Sequence, residues 1–273
     1  MRAIMAAMRI AVFGANGMLG KAVTAALPEA GHEAVPLNRT DCDVSDPSSV
    51  LIAFGRWQFD AVINCAGAIY GAMPHRMTGA NAHGPHLLAR ACSYTHRRLV
   101  HVSTDCVFSG APGEPDRRIP STQTPDPRDL YGYTKAAGEP LTYKTAVVIR
   151  TSFIGRDHGV LAWFLEQAHH GRDVDGWRRA YWTGSTVDAV ARSLVNVAAS
   201  PDVRPGVLHL ATREKVSKHD VLVMAKELFA PRSQTTIVPK DEPHVDRALA
   251  PDIVLEPVHR ALEAMIARKG AAA

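Results

Sequence analysis

The sequence predicts an α/β fold: a doubly wound parallel sheet with a smaller, interleaved C-terminal lobe. Three observations predict it. Short apolar runs alternate with amphipathic helical segments through the first half of the chain. Those runs are apolar on both faces, as strands covered by helices on both sides must be. A glycine-rich segment, GANGMLG, joins the first run to the first helical segment. With 273 residues the chain has room for one large domain or two modest ones.

The elements follow in order. RIAVF (9–13) reads as a buried strand and residues 18–30 as a helix with apolar residues at helical spacing. HEAVPL (32–37) gives a second strand, and Pro47 to Gly55 a short helix entered through Asp46. AVINCAG (61–67) is a third strand, NAHGPHLLARACSY (81–94) a long helix and LVHVS (99–103) a fourth strand. YGYTKAAGEPL (131–141) opens another helix, and TAVVIR (145–150) is a fifth strand. Residues 110–129, rich in Pro, Gly, Asp and Arg, form a loop long enough to suggest a functional one. After Arg150 the pattern loosens. Helices are expected over 188–200, 219–230 and 258–269, and a late strand over 206–211.

Composition removes several classes of function. The 31 basic and 27 acidic residues are spread along the chain and leave a formal charge of +4, without the basic stripe that a nucleic-acid partner requires. Cys42, Cys65, Cys92 and Cys106 form no CxxC pair, which fits reduced thiols better than a disulfide frame or zinc site. Neither an HExxH nor a matching carboxylate spacing is present, so no metal is expected. No apolar run approaches the ~20 residues that span a bilayer. Met1 to Ala7 reads as a short leader that runs straight into the first strand, with Met8 as an alternative start, and the expected location is the cytoplasm.

Gly14, Gly17 and Gly20, with Asn16, Met18 and Leu19 between them, follow a strand and open a helix. The spacing is GxxGxxG, but the physics is that of the Rossmann dinucleotide site: a tight turn, then backbone that approaches pyrophosphate at a helix N-terminus. The second strand runs into Asn38 and Arg39, where NAD sites usually place an acidic residue for the ribose hydroxyls. An arginine there suits a 2′-phosphate. The cofactor expected is therefore NADPH, with NADH as second choice.

Tyr131 and Lys135 stand four apart at the start of a helix and share one face, whereas Tyr133 points elsewhere. A phenol with a pKa of ~10 is a poor proton donor or acceptor near neutrality. A neighbouring ammonium is expected to lower it. Ser103, Thr104 and Asp105 end the fourth strand, at the sheet edge where open parallel sheets bind ligands. Thr104 is placed to hydrogen-bond a carbonyl oxygen while Tyr131 supplies its proton. Cys106 lacks an assured base or cation and reads as a bystander, not a nucleophile.

GANGMLG, DVSD (43–46), NCAG (64–67), Asn81, STD (103–105) and YGYTK together resemble the extended short-chain dehydrogenase/reductases. STDCVFSG, YGYTKAAGE and VIRTSFIG are similar to segments of dTDP-4-dehydrorhamnose reductases and related nucleotide-sugar enzymes. The ordered motifs cover residues 9–155, and WTGSTVDAVA echoes a later segment faintly. The resemblance implies NADPH-dependent reduction of a keto group on a nucleotide-linked deoxysugar, and it leaves room for a homodimer. It implies Thr104, Tyr131 and Lys135 as the catalytic trio. Gly14, Asn16, Gly17, Met18, Leu19 and Gly20 would lie along the cofactor with Arg39, Asp43, Val44, Cys65, Ala66, Gly67, Asn81 and Lys135. Asn81 would support a bound water or the active-site helix. Asp105, Cys106 and Phe153 are its substrate-side candidates.

Two departures bear on the substrate: Cys106 replaces a Tyr, and Phe153-Ile154-Gly155 replaces a Trp-Val-Tyr-Gly pattern. The related dehydratases carry Glu where Cys106 stands, and a thiol of pKa ~8.5 is a poor substitute for a carboxylic acid. An NAD-dependent nucleotide-sugar epimerase and a non-catalytic cofactor-binding regulatory subunit remain as alternatives. Arg117, Arg118, Arg178 and Arg179 are read either as phosphate contacts or as a solvated charged face. The dinucleotide-binding domain is expected over 8–150, with 184–212 returning to it, and the substrate lobe over 151–183 and 213–273.

Overall fold

A computed structural model of the chain describes residues 6–69, 71–114 and 116–271. Met1 to Met5 of the expected leader lie outside the described residues. Strand β1 (Arg9–Phe13) is buried from Ile10 onward. Helix α1 (Met18–Glu29) leaves the glycine turn directly and buries Leu19, Val23, Ala26 and Leu27 along one face. After β2 (Glu33–Leu37) comes α2 (Pro47–Arg56). Its first free amide is capped by the Asp46 carboxylate, which accepts from Ser48, and Pro47 needs no partner at the first position.

Strand β3 (Ala61–Asn64) stops before the expected Gly67, because the Asn64 side chain accepts the Ala66 amide and turns the chain out of the sheet. The helix expected at Asn81 is already under way there. It starts as α3 (Pro74–Met77), passes through a π-helical turn (Thr78–His83) and continues as α4 (Gly84–Tyr94). Strand β4 (Arg98–Thr104) follows, then a 3-10 turn over Asp105–Val107. Helix α5 (Leu130–Ala137) is capped by Asp129, which accepts from Gly132, and it ends at Gly138, short of the expected Leu141. Strand β5 (Ala146–Thr151) is buried along its whole length.

The remaining elements are shorter. They are β6 (Phe153–Ile154), α6 (Gly159–His169), β7 (Val174–Trp177), β8 (Ala180–Trp182), β9 (Ser185–Thr186) and α7 (Val187–Ala199). Next come β10 (Gly206–Ala211), β11 (Val216–Ser217), α8 (Lys218–Phe229), β12 (Ile237–Lys240), β13 (Val245–Asp246), β14 (Ile253–Val254) and α9 (Val258–Ala271). Ser217 and Asp220 close a reciprocal capping box at the start of α8.

A seven-stranded parallel sheet has the order β14-β10-β5-β4-β3-β1-β2. Chain order reverses between β1 and β3, a topological switch point where such sheets bind ligands beyond the strand ends. The register brings those ends level: Phe13 pairs with both Leu37 and Asn64, and Asn64 with His101.

The chain divides into two compact units. The first comprises residues 1–108, 125–150 and 191–208, the second 109–124, 151–190 and 209–273. One core cluster of the first unit gathers Phe13, Leu37, Val62, Leu88 and Leu99, with Phe54 edge-on to Phe59 at 5.1 Å. Leu161, Phe164, Val174, Trp182, Leu222 and Leu262 form a core in the second. No helix among the described residues is long and apolar enough to cross a membrane.

Candidate active site

In the first unit the chain leaves β1 with Gly14 at a φ of 77°, and the Gly14 and Ala15 amides both donate to the Leu37 carbonyl. A Cβ on Gly14 would stand 2.6 Å from the Ala66 nitrogen, and one on Gly20 would collide with the Gly14 carbonyl. Only glycine lets the turn, the start of α1 and the segment after β3 approach this closely.

Beside that turn lies a cavity of about 510 Å³. Gly14, Asn16, Gly17, Arg39, Asp43, Val44, Cys65, Ala66 and Gly67 line it, so nine of the expected cofactor residues share one space. Met18, Leu19 and Gly20 stand in the first turn of α1, where Leu19 and Gly20 are buried. The bare glycine backbone and the flanking Arg39 and Asp43 fit a dinucleotide. Arg39 donates through Nε and Nη2 to one Asp43 oxygen at 3.2 and 3.0 Å. The Ser45 hydroxyl and amide occupy the other Asp43 oxygen. The Ser45 hydrogen bonds and the Arg39 guanidinium hold the Asp43 carboxyl below its ordinary pKa.

The proton-handling groups come from β4 and α5 of the same unit. Thr104 ends β4, donates to Asp105 at 3.2 Å, accepts the Cys106 amide at 3.1 Å and shares a hydrogen bond with the Tyr131 phenol. One turn along α5, the buried Lys135 ammonium donates to the Val102 carbonyl at 2.6 Å. Burial lowers the Lys135 pKa to about 8, against the opposing pull of Glu139 and Cys65. Burial also raises the pKa of Tyr131, helped by Cys106, Asp105 and Asp129, while the Thr104 hydrogen bond opposes it. This corrects the expectation of a lowered phenol: loss of hydration, joined by the neighbouring acidic groups, outweighs the Thr104 hydrogen bond, and Tyr131 stays protonated at neutral pH.

Asn81 is fully buried in the π-helical turn. Its Oδ1 accepts the Ala68 amide at 2.7 Å, and its Nδ2 donates to the Ala68 carbonyl and to Thr134 on α5. It therefore ties the cavity wall to the helix that carries Tyr131 and Lys135. Ser103 donates to Glu139, which also holds Arg150 through two bonds of 2.8 and 2.7 Å, all buried.

In the second unit Phe153 is half-buried in β6, paired with β9. That unit has its own cavity of about 670 Å³, lined by Gly159, Val160, Trp163, Asp173, Trp177 and Lys218 among others. The Lys218 ammonium sits 5.0 Å from the Trp177 ring centre. Arg178, read from the sequence as a phosphate contact or a surface charge, is held by Asp241 at 3.0 and 2.9 Å.

The family model described as the RmlD substrate binding domain matches residues 8–252. The chain belongs to that family. An RmlD relative of similar sequence is the dTDP-4-dehydrorhamnose reductase of Mycobacterium tuberculosis, 34% identical over an alignment of 226 residues that covers 77% of this chain and 72% of the relative. Among solved structures, a dTDP-4-dehydrorhamnose reductase from Clostridium acetobutylicum superposes with a TM-score of 0.84 at 22% identity, covering 96% of this chain and all of that one. A second, from Bacillus anthracis in complex with NADP, gives 0.83 at 18% identity, over 97% of this chain and 100% of that one. These RmlD-type structures share the fold.

Two groups in this RmlD member have surroundings that its motifs do not announce. Asn64 is one member of the NCAG segment, yet its side-chain amide accepts the Ala66 N–H on one side and contacts buried His101 Nδ1 at 3.1 Å on the other. Burial drives the His101 pKa well down, so the ring is neutral. Trp163 and Trp177 belong to none of the motifs. Their signal is large aromatic side chains 44% and 37% exposed, which is visible only once the fold is known.

Proposed function

We propose that the chain is an NADPH-dependent reductase of a keto group on a nucleotide-linked deoxysugar. The observation that carries this is the Thr104–Tyr131 hydrogen bond at the end of β4, with Lys135 one turn behind it. The names of the relatives, dTDP-sugar reductases, support the same chemistry. NADPH, bound in the cavity of the first unit, would supply the hydride that reduces the carbonyl carbon.

The chain supplies the rest. The Thr104 and Tyr131 hydroxyls orient the carbonyl oxygen, and the phenol, kept neutral by burial, gives that oxygen its proton. The Lys135 ammonium then stabilises the phenolate left behind until a proton returns. Cys106 offers no carboxylic acid for elimination. Asn81 acts through Ala68 and Thr134 by holding cavity wall and helix together. The second unit is proposed as the substrate-binding part. The chain is further proposed to act in the cytoplasm as a homodimer, without a nucleic-acid partner.

Nucleoside-diphosphate 4-keto sugars, assayed in turn with NADPH and NADH, test the proposal. Alcohol formation with higher kcat/KM for NADPH is expected. No consumption with any such sugar would leave a binding subunit, and equal efficiency with NADH would remove the role given to Arg39. The reductive kcat should also fall as pH rises through about 8, because Lys135 is an ammonium below that value and neutral above it. A kcat flat from roughly pH 7 to 9.5 would show that Lys135 does not titrate in the step.

A further inference from the structure

We propose that Arg76 sets the preference for a phosphorylated cofactor, receiving the phosphate on the adenosine 2′ position. This rests on reading the first unit's cavity as the cofactor site. Two arginines line that cavity, Arg39 after β2 and Arg76 on α3, together with His75. Their electrostatic situations differ. Arg39 spends two donors on Asp43, and that carboxylate is itself locked by two bonds from Ser45. An arriving phosphate meets only the donors of Arg39 that Asp43 leaves open and must tolerate that carboxylate's negative charge beside it.

Arg76 carries no such burden. It is exposed, and among the described residues its guanidinium makes no ion pair. Two features make that significant. Asp43, the carboxylate lining the same cavity, is already committed to Arg39 and Ser45. His75, the neighbouring side chain on the lining, adds a second nitrogen base and no acid. The uncompensated positive charge of the cavity thus sits at Arg76. Its planar fork matches a phosphate dianion in two-point contact, which a ribose hydroxyl does not exploit. Arg39 then acts as the second arm, weakened by the Asp43 carboxylate that it already holds. The notable inversion is that the arginine at the sequence position expected of a phosphate ligand is the restrained one.

The test is binding, read by titration calorimetry with adenosine 2′,5′-bisphosphate and 5′-AMP. Arg76→Ala should weaken the bisphosphate about tenfold, within the range of one charged hydrogen-bonded contact, and leave AMP within about twofold. Unchanged AMP affinity also shows that the variant is folded. Arg39→Ala should weaken the bisphosphate less than Arg76→Ala, and Arg76→Lys should retain part of the affinity. Equal loss for both ligands in Arg76→Ala, or no loss for either, overturns the assignment. A wild-type chain that binds neither ligand nor NADPH overturns the cofactor reading itself, and the assignment with it.

Discussion

Glu139→Gln is expected to lower the unfolding free energy by about 3–5 kcal/mol, the range for removing one partner of a buried ion pair. The carboxylate and the Arg150 guanidinium are 1% and 2% exposed, joined by two bonds of 2.8 and 2.7 Å. Ser103 donates to the same carboxylate, and the guanidinium lies 5.1 Å from the Phe108 ring centre. With Gln in place, Arg150 keeps its charge in a site that water cannot reach. Urea denaturation near neutral pH reads the effect. Adding Arg150→Met to the variant should recover part of the loss, since no uncompensated charge then remains buried. A loss below about 1 kcal/mol for Glu139→Gln would mean that the pair contributes no more than an exposed one. The substitution should also move the high-pH limb of kcat to lower pH, because Glu139 is the leading influence that raises the Lys135 pKa.

That ion pair shows where motif reading stops. YGYTKAAGE and VIRTSFIG contain both residues, and Arg150 read equally well as a structural salt bridge or a functional group. Nothing in either string says that the side chain just past α5 meets the one on β5. Long-range pairing of charged groups has no local signature. Strands β1, β3, β4 and β5 were visible because burial on both faces imposes a continuous apolar run, and helix starts at Asp46 and Gly17 were visible because caps and turns are local chemistry. The glycine loop was equally plain, since close backbone approach admits only one residue type at Gly14.

The short strands β6 to β9 and helix α6 went unread for the opposite reason. Strands of two to four residues hold too few positions for an alternation to show. In α6 the apolar residues cluster at Val160 to Leu165, so no clean helical stripe stands out. In the site, the residue types and their sheet edge were foreseeable, but the electrostatics were not. Whether Tyr131 rises or falls in pKa depends on how much water surrounds the phenol, and burial decided it.

Tyr131→Phe should reduce kcat by about 10²–10⁴-fold, the span that a positioned proton donor contributes, while leaving NADPH affinity within about twofold. The ring keeps its shape and burial, so only the hydroxyl and its bond to Thr104 are lost. Hydride addition to a carbonyl carbon leaves an alkoxide unless a proton arrives, and Tyr131 is a protonated acid hydrogen-bonded to Thr104. Thr104→Val, by contrast, removes an orienting bond but no proton and should cost less in kcat. Lys135→Met should leave a protonated phenol that yields its proton poorly, because the phenolate formed has no neighbouring ammonium. The order of damage, Tyr131→Phe above Thr104→Val, therefore separates proton donation from orientation. Stopped-flow measurement of NADPH oxidation in a single turnover isolates the chemical step from product release. If Tyr131→Phe keeps more than about a tenth of the wild-type rate there, the proton comes from elsewhere. Asp105 would then be the group to test next, since it accepts the Thr104 hydroxyl and is buried beside it.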